Sequence, residues 1–260
     1  MSTTTSITVE ELGSTRVITL DRPSSRNAIS IAMMQELAAA FARCADDPDA
    51  RAIVLTGGRS CFSAGRDLKE AARQTPEDAE TARQAWTSLA EAIETHPLPV
   101  IAAIEGWCLT GGLELALLCD LRIAGSGASF GITSARLGSI AGFGGTQRLP
   151  RLIGQARALE LMFWADPIDT ETASQFGLIN RVTPAGTALE EALVLADHYA
   201  TRAPLSLAAI KRAVREGSEM PISEGLALEL ALGRKLAQSE DRREGMAAFL
   251  EKRKPVFRKR

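Results

Sequence analysis

The run at residues 105–120 constrains the fold more than any other part of the chain. An apolar segment at 100–104 leads into it and has the composition of a buried strand. Gly106 interrupts that strand, and Gly111-Gly112 opens a second apolar segment of helical character. One carboxylate, Glu114, sits inside that segment. A charged side chain there is costly unless it is paired, faces a cavity or is needed for chemistry.

The rest of the chain alternates strand and helix before turning helical. Segments 7–12 and 16–20 flank Gly13-Ser14 as a β-hairpin. Ser30 caps a helix whose inner face carries Ile31, Met34, Leu37, Ala38 and Phe41. Residues 52–56 form a buried strand, and 77–95 a helix with Trp86, Leu89 and Ile93 inward. Strands follow at 121–124 and 128–132, then an irregular glycine-rich stretch at 138–145. Thr170 is the expected cap of a helix ending near Gln175, with a turn and strand at 177–182. From Thr187 onward the pattern is helical. This order predicts an α/β core over residues 1–202 and a helical C-terminal part over 203–260, divided at Arg202-Ala203-Pro204.

Composition removes several classes of function. A net charge of −2 over 260 residues gives no general attraction to nucleic acid or anionic membrane. No apolar run reaches the length of a membrane span, and the polar start at residues 1–6 does not resemble a secretory leader. The expected compartment is the cytoplasm. Cys44, Cys61, Cys108 and Cys119 lack metal-ligand spacing and read as reduced core thiols. His96 and His198, both in segments read as helical, do not pair as metal ligands, and no metal is expected. A serine hydrolase is disfavoured for want of a Gly-x-Ser-x-Gly elbow.

Four stretches could carry chemistry. A helix starting near Gly111 leaves its first amides free at the positive end of the dipole, and Glu114 follows within one turn. That pairing would place an oxyanion donor beside a general base. Spacing alone equally describes a tight turn followed by a first-turn acid. The segment 62–68 is a small-residue turn that could expose the Arg66 amide, with Asp67 in the first turn of a following helix. The glycines at 142, 144 and 145 fit neither the dinucleotide nor the nucleoside-triphosphate loop pattern. The basic end at 252–260 could bind phosphate or nucleic acid, or remain solvated.

Taken together these pieces are much more specific. Phe62-Ser63-Ala64-Gly65-x-Asp67-Leu68, Val100-Ile101-Ala102-Ala103-Ile104-x-Gly106, Gly111-Gly112-x-Glu114-Leu115-Ala116, Gly144-Gly145-Thr146-Gln147-Arg148-Leu149 and Glu244-Gly245-Met246-x-Ala248-Phe249 occur in the order seen in the crotonase (enoyl-CoA hydratase/isomerase) superfamily, which the chain resembles from Leu20 to its C-terminal helix. The resemblance implies a spiral of ββα repeats with a helical trimerisation region, a homotrimer or dimer of trimers, and a coenzyme A thioester substrate with no separate cofactor. It implies an oxyanion hole from the backbone N–H groups of Arg66 and Gly111, and Glu114 as acid–base residue. Arg22, Arg26, Ala64, Asp67, Leu68 and Gly112 match substrate-binding positions. Phe249 and Lys252 match residues that touch coenzyme A, often from a neighbouring subunit.

Two positions depart from the pattern. Ser134 stands where relatives carry a second glutamate, and a serine is a poor proton donor or acceptor near neutral pH. Such an acid–base contribution is worth roughly 10²–10⁴ in rate. Arg66 stands where many relatives have a small residue, so its side chain narrows or charges the acyl pocket. The leading expectation is hydration of an enoyl-CoA. The alternatives are isomerisation, thioester hydrolysis or decarboxylation with one glutamate, or acyl-CoA binding without turnover.

Overall fold

The computed structural model describes residues 5–260; the polar start at 1–4 lies outside the described residues. The chain opens with the predicted hairpin, β1 (Ile7–Leu12) and β2 (Thr15–Leu20), followed by α1 (Ile31–Asp46). Ser30 caps α1 by accepting a hydrogen bond from the Met33 amide. Then come β3 (Ala52–Thr56), the short α2 (Leu68–Ala71) and α3 (Pro76–Glu94). The central stretch supplies β4 (Val100–Ile104), β5 (Trp107–Leu109) and α4 (Gly111–Leu118). It is followed by β6 (Leu121–Gly125), β7 (Ser129–Gly131), α5 (Gly145–Ile153), α6 (Gln155–Trp164), β8 (Ile168–Asp169), α7 (Thr170–Gln175) and β9 (Arg181–Thr183). Four helices close the chain: α8 (Ala188–Ala200), α9 (Pro204–Gly217), α10 (Ile222–Ala237) and α11 (Glu240–Leu250).

Two sheets form. The larger runs β1-β2-β3-β4-β6-β9, parallel except for the opening hairpin; the smaller runs β5-β7-β8. The chain steps from the first sheet to the second and then into a helix, as in β4-β5-α4, which is the expected ββα repeat. β3 and β4 are buried on both faces, so they read as unbroken apolar runs rather than alternating ones. One side of β4, through Ala102 and Ile104, joins the core formed with α1, α3 and α4. The other, through Ile101 and Ala103, packs against Ala188, Ala192 and Ala196 of α8.

Three local expectations need correction. The cap of α7 is Asp169, whose carboxylate accepts from the Thr172 amide, while Thr170 turns inward and donates to the carbonyls of Gly125 and Ala128. His96 lies just beyond α3 rather than within a helix, and its ring is buried between the Leu98 amide and the Phe41 carbonyl. Asp67 is the N-cap of α2, one position ahead of the first turn.

Candidate active site

The turn between β5 and α4 is the most strained point near the candidate residues. Thr110 adopts φ 45° and ψ −110°, which is unfavourable for a β-branched residue. It is held there from two sides. Its amide donates to the Gly131 carbonyl at 2.7 Å, and its Oγ1 accepts from the Thr133 amide at 3.1 Å. The same bonds tie the segment carrying Ser134 to the start of α4.

Gly111 follows as the first residue of α4, and neither its amide nor that of Arg66 donates to a partner among the described residues. The two amides border one space, because a Cβ built on Gly111 would lie 3.1 Å from the Arg66 nitrogen. Gly65, at φ +102°, brings the Arg66 loop that close; a Cβ there would meet the Leu109 carbonyl at 2.8 Å. The loop is fixed by neighbours on both sides. The Ile29 amide donates to Gly65, the Asp67 amide donates to Ile29, and Ser63 pairs with Cys108 of β5. Gly112 is needed for close packing, since a Cβ there would lie 2.5 Å from the Ser63 carbonyl.

Glu114 lies in the first turn of this helix and is 2 % exposed. Its Oε1 accepts hydrogen bonds from the amides of Phe143 and Gly145, at 2.7 and 2.8 Å. Its Oε2 has no protein partner among the described residues, yet it is not one of the polar atoms sealed from solvent. One carboxylate oxygen is therefore an anchor and the other is available. Burial pushes the Glu114 pKa up, against the opposing pull of the two amides and the Arg148 charge. A carboxylate with that balance suits proton transfer near neutral pH. The glycine-rich loop that fitted no phosphate pattern is thus the clamp on Glu114. Arg148 braces the loop by donating to the Phe143 carbonyl and by a two-point ion pair with Glu94.

Ser134 is buried, in a 3₁₀ turn at Ser134–Leu137, and its hydroxyl has no hydrogen-bond partner among the described residues. The far end of α4 is held by Arg122, which sequence reasoning missed. Its buried guanidinium donates to the carbonyls of Ala116, Cys119 and Leu178, and burial lowers its pKa. A lone arginine within the apolar segment 121–124 was the available signal.

Beside the oxyanion loop opens a cleft of about 860 Å³ lined by Arg22, Ser24, Ser25, Asp67, Leu68 and Gln74 among others. Arg22 pairs with Asp67 at 2.9 Å. Burial works to raise the Asp67 pKa, but the Glu70 amide and Arg22 outweigh it and hold the carboxylate below its ordinary value. Arg26 does not line this cleft; its guanidinium lies over the Trp107 ring, 4.4 Å from the centroid. Ala64 is half-buried in the oxyanion loop, and its amide donates to the Arg26 carbonyl. Phe249 and Lys252 are not brought to the cleft by their own chain: Phe249 is 79 % exposed at the end of α11.

A buried carboxylate with one anchored oxygen, near two neighbouring amides that have no partner among the described residues, suits proton transfer next to a carbonyl that becomes an oxyanion. The comparisons agree with that class. The sequence profile described as Enoyl-CoA hydratase/isomerase matches residues 10–260. A 2,3-dehydroadipyl-CoA hydratase of Escherichia coli is 40% identical over 248 residues, 94% of this chain and 95% of that protein. A protein of Mycobacterium bovis named as a probable enoyl-CoA hydratase is 42% identical over 243 residues, 93% of each chain. The crystal structure of an enoyl-CoA hydratase from Bacillus anthracis superposes with a TM-score of 0.94 at 37% identity, covering 98% of this chain and 100% of that one. The chain belongs to the enoyl-CoA hydratase/isomerase family, the crotonase superfamily, and has its fold.

Proposed function

We propose that the protein is an acyl-CoA lyase that adds water across the α,β double bond of an enoyl-CoA, with Glu114 as its single acid–base carboxylate. The observation that carries this reading is the asymmetry of Glu114, with Oε1 clamped by two amides and Oε2 free. In this scheme the amides of Arg66 and Gly111 hold the thioester oxygen. Glu114 Oε2 takes a proton from water as its oxygen bonds to Cβ, and the electron pair of the double bond moves to the thioester oxygen as an enolate. The proton on Glu114 then returns to Cα. Water is consumed, both its parts end on the product, and the carboxylate is restored. Removing one such oxyanion donor costs ~2.7–4 kcal/mol of activation free energy. Ser134 contributes at most a hydroxyl that orders water near Cα.

The cleft bounded by Arg22, Asp67 and Leu68 is assigned to the nucleotide end of coenzyme A, with Ala64 and Gly112 shaping the thioester turn. Arg26 lies outside this cleft, over the Trp107 ring. Phe249 and Lys252 are assigned to the coenzyme bound by a neighbouring subunit. α10 has no buried residue, and Ile222, Leu226 and Leu230 are exposed, which supports assembly of the helical region 203–260 into a trimer or dimer of trimers around cores 1–202. Light scattering on the purified protein tests that assembly. No cofactor beyond the substrate's own coenzyme A, no nucleic acid and no membrane takes part in this scheme, and a role in cytoplasmic fatty-acid oxidation is its natural setting. Among the described residues no helix is long and apolar enough to cross a membrane.

The test is hydration of a panel of enoyl-CoAs with mass analysis of the products. Gain of one water supports the proposal. Release of free CoA or a shifted double bond would instead favour single-glutamate hydrolysis or isomerisation, the second reading that Ser134 keeps open.

A further inference from the structure

Charge, more than apolar packing, seats α9 on the core. Among the described residues of α9, Pro204 alone is buried. Lys211 and Arg215 stand four positions apart, on one side of the helix, and both reach Asp120 just beyond α4, each at 2.9 Å. Asp120 is itself fixed, because its Oδ2 accepts from the Val100 amide at the start of β4. Lys211 also donates to the carbonyls of Ile93 and Leu98.

Arg215 reaches further than its neighbour. Its Nη2 donates to the Leu118 carbonyl at 2.7 Å, at the end of the helix that carries Glu114. Its Nη1 lies 3.5 Å from Oε1 of Glu94, the last residue of α3. Glu94 holds Arg148 at two points, at 2.7 and 2.8 Å. Arg148 donates to the Phe143 carbonyl, and its guanidinium lies against Gly144, where no Cβ would fit. The amides on either side of Gly144, those of Phe143 and Gly145, are the two that hold Glu114 Oε1. One guanidinium therefore touches α4 directly and the clamp loop through two side chains. Two of the three links are arginine forks, whose orientation is fixed when they bind at more than one point, whereas a lysine acts as a point charge. The four side chains are also partly withdrawn from solvent, so their pairing is only partly screened.

We infer that Arg215 is a positioning residue for Glu114, setting the clamp loop at 143–145 against α4 through Glu94 and Arg148. This makes α9, in the helical C-terminal region, part of the framework of the site. It rests on the reading of Glu114 as the acid–base residue and adds the support that holds it in place.

Hydrogen exchange at the Phe143 and Gly145 amides, read beside steady-state hydration of crotonyl-CoA, tests the assignment. Arg215→Met is expected to speed exchange at both amides and to lower kcat ~10–100-fold with KM little changed, the scale of loss that a misplaced reacting group produces. Lys211→Met also weakens the seat of α9 but lacks the route to the loop. It is expected to cost stability and to leave both readings near wild type. In an Arg148→Met background the further loss from Arg215→Met should shrink sharply, because the route is already cut. Arg215→Lys keeps a charge opposite Asp120 but cannot reach Leu118 and Glu94 together, so it should reproduce the faster exchange in a more stable protein. Unchanged exchange in Arg215→Met, an unchanged kcat where the wild type hydrates, equal changes in Lys211→Met, or full additivity with Arg148→Met would overturn the inference. Selective loosening of the clamp in a protein whose wild type hydrates no enoyl-CoA sustains the inference and defeats hydration. Hydration by a wild type whose Arg215→Met variant keeps both readings does the reverse.

Discussion

Glu105 and Glu114 lie nine positions apart in one stretch, are both almost fully buried, and do opposite things. Glu105 Oε1 accepts from the Ala188 amide at 3.0 Å, capping α8 at its positive end. Its other oxygen fills the space beside Gly125, where a Cβ would fall only 2.2 Å from Oε2. Glu114 also uses one oxygen to accept backbone amides and leaves its second without a protein partner. Glu105 Oε2, like Glu114 Oε2, has no hydrogen-bond partner among the described residues; what differs is the surroundings, Glu105 lying between Gly125 and the start of α8 and Glu114 one helical turn from the unpartnered Gly111 amide. Burial, residue type and the second oxygen do not separate the two cases, whereas what each carboxylate faces does.

The largest effect is expected beside Glu105. Gly125→Ala forces the Glu105 carboxylate out of place, and overpacking plus the lost hydrogen bond sum to roughly 2–6 kcal/mol of stability. Denaturant unfolding would show it; a near-wild-type midpoint would mean that the Glu105 cap on α8 contributes little. His96 is a second buried titratable group outside the candidate site, with both ring nitrogens hydrogen-bonded. Desolvation, against the pull of the Phe41 carbonyl, holds its pKa at about 4, below the ordinary 6.5. The unfolded chain then binds a proton that the folded chain refuses. Stability should fall as pH drops from 6.5 toward 4 and level off below, by about 3 kcal/mol from this group. His96→Gln should flatten that part of the stability curve without changing the pH dependence of catalysis. A smaller shift belongs to Glu114. Arg148 favours the charged form of Glu114, so Arg148→Met raises the Glu114 pKa further. The acid limb of the kcat/KM profile then moves to higher pH; movement to lower pH would show that Glu114 is not the titrating base.

Much of this contrast could be anticipated and some could not. The break at Gly106, the helix start at Gly111 and the isolated Glu114 were legible because glycine and a lone charge in an apolar segment are local signals. The pairing of the Arg66 and Gly111 amides followed only from the resemblance, since a bare N–H leaves no mark in sequence. The clamp on Glu114 was illegible for a different reason: its donors are backbone amides 29 and 31 positions away. Likewise Asp67 and Asp169 took cap positions that local preference alone had set one residue differently. The pairing of Glu105 with α8 spans 83 positions and depends on the layer that α8 forms over the sheet.

The central claim is that Glu114 works as a lone carboxylate through its open oxygen. Steady-state hydration of one enoyl-CoA by wild type, Glu114→Gln and Ser134→Ala tests it most directly. The account predicts a ~10²–10⁴-fold loss for Glu114→Gln and a loss of less than ~10-fold for Ser134→Ala. Equal rates for wild type and Glu114→Gln, or a Ser134→Ala loss as large as that of Glu114→Gln, would contradict it.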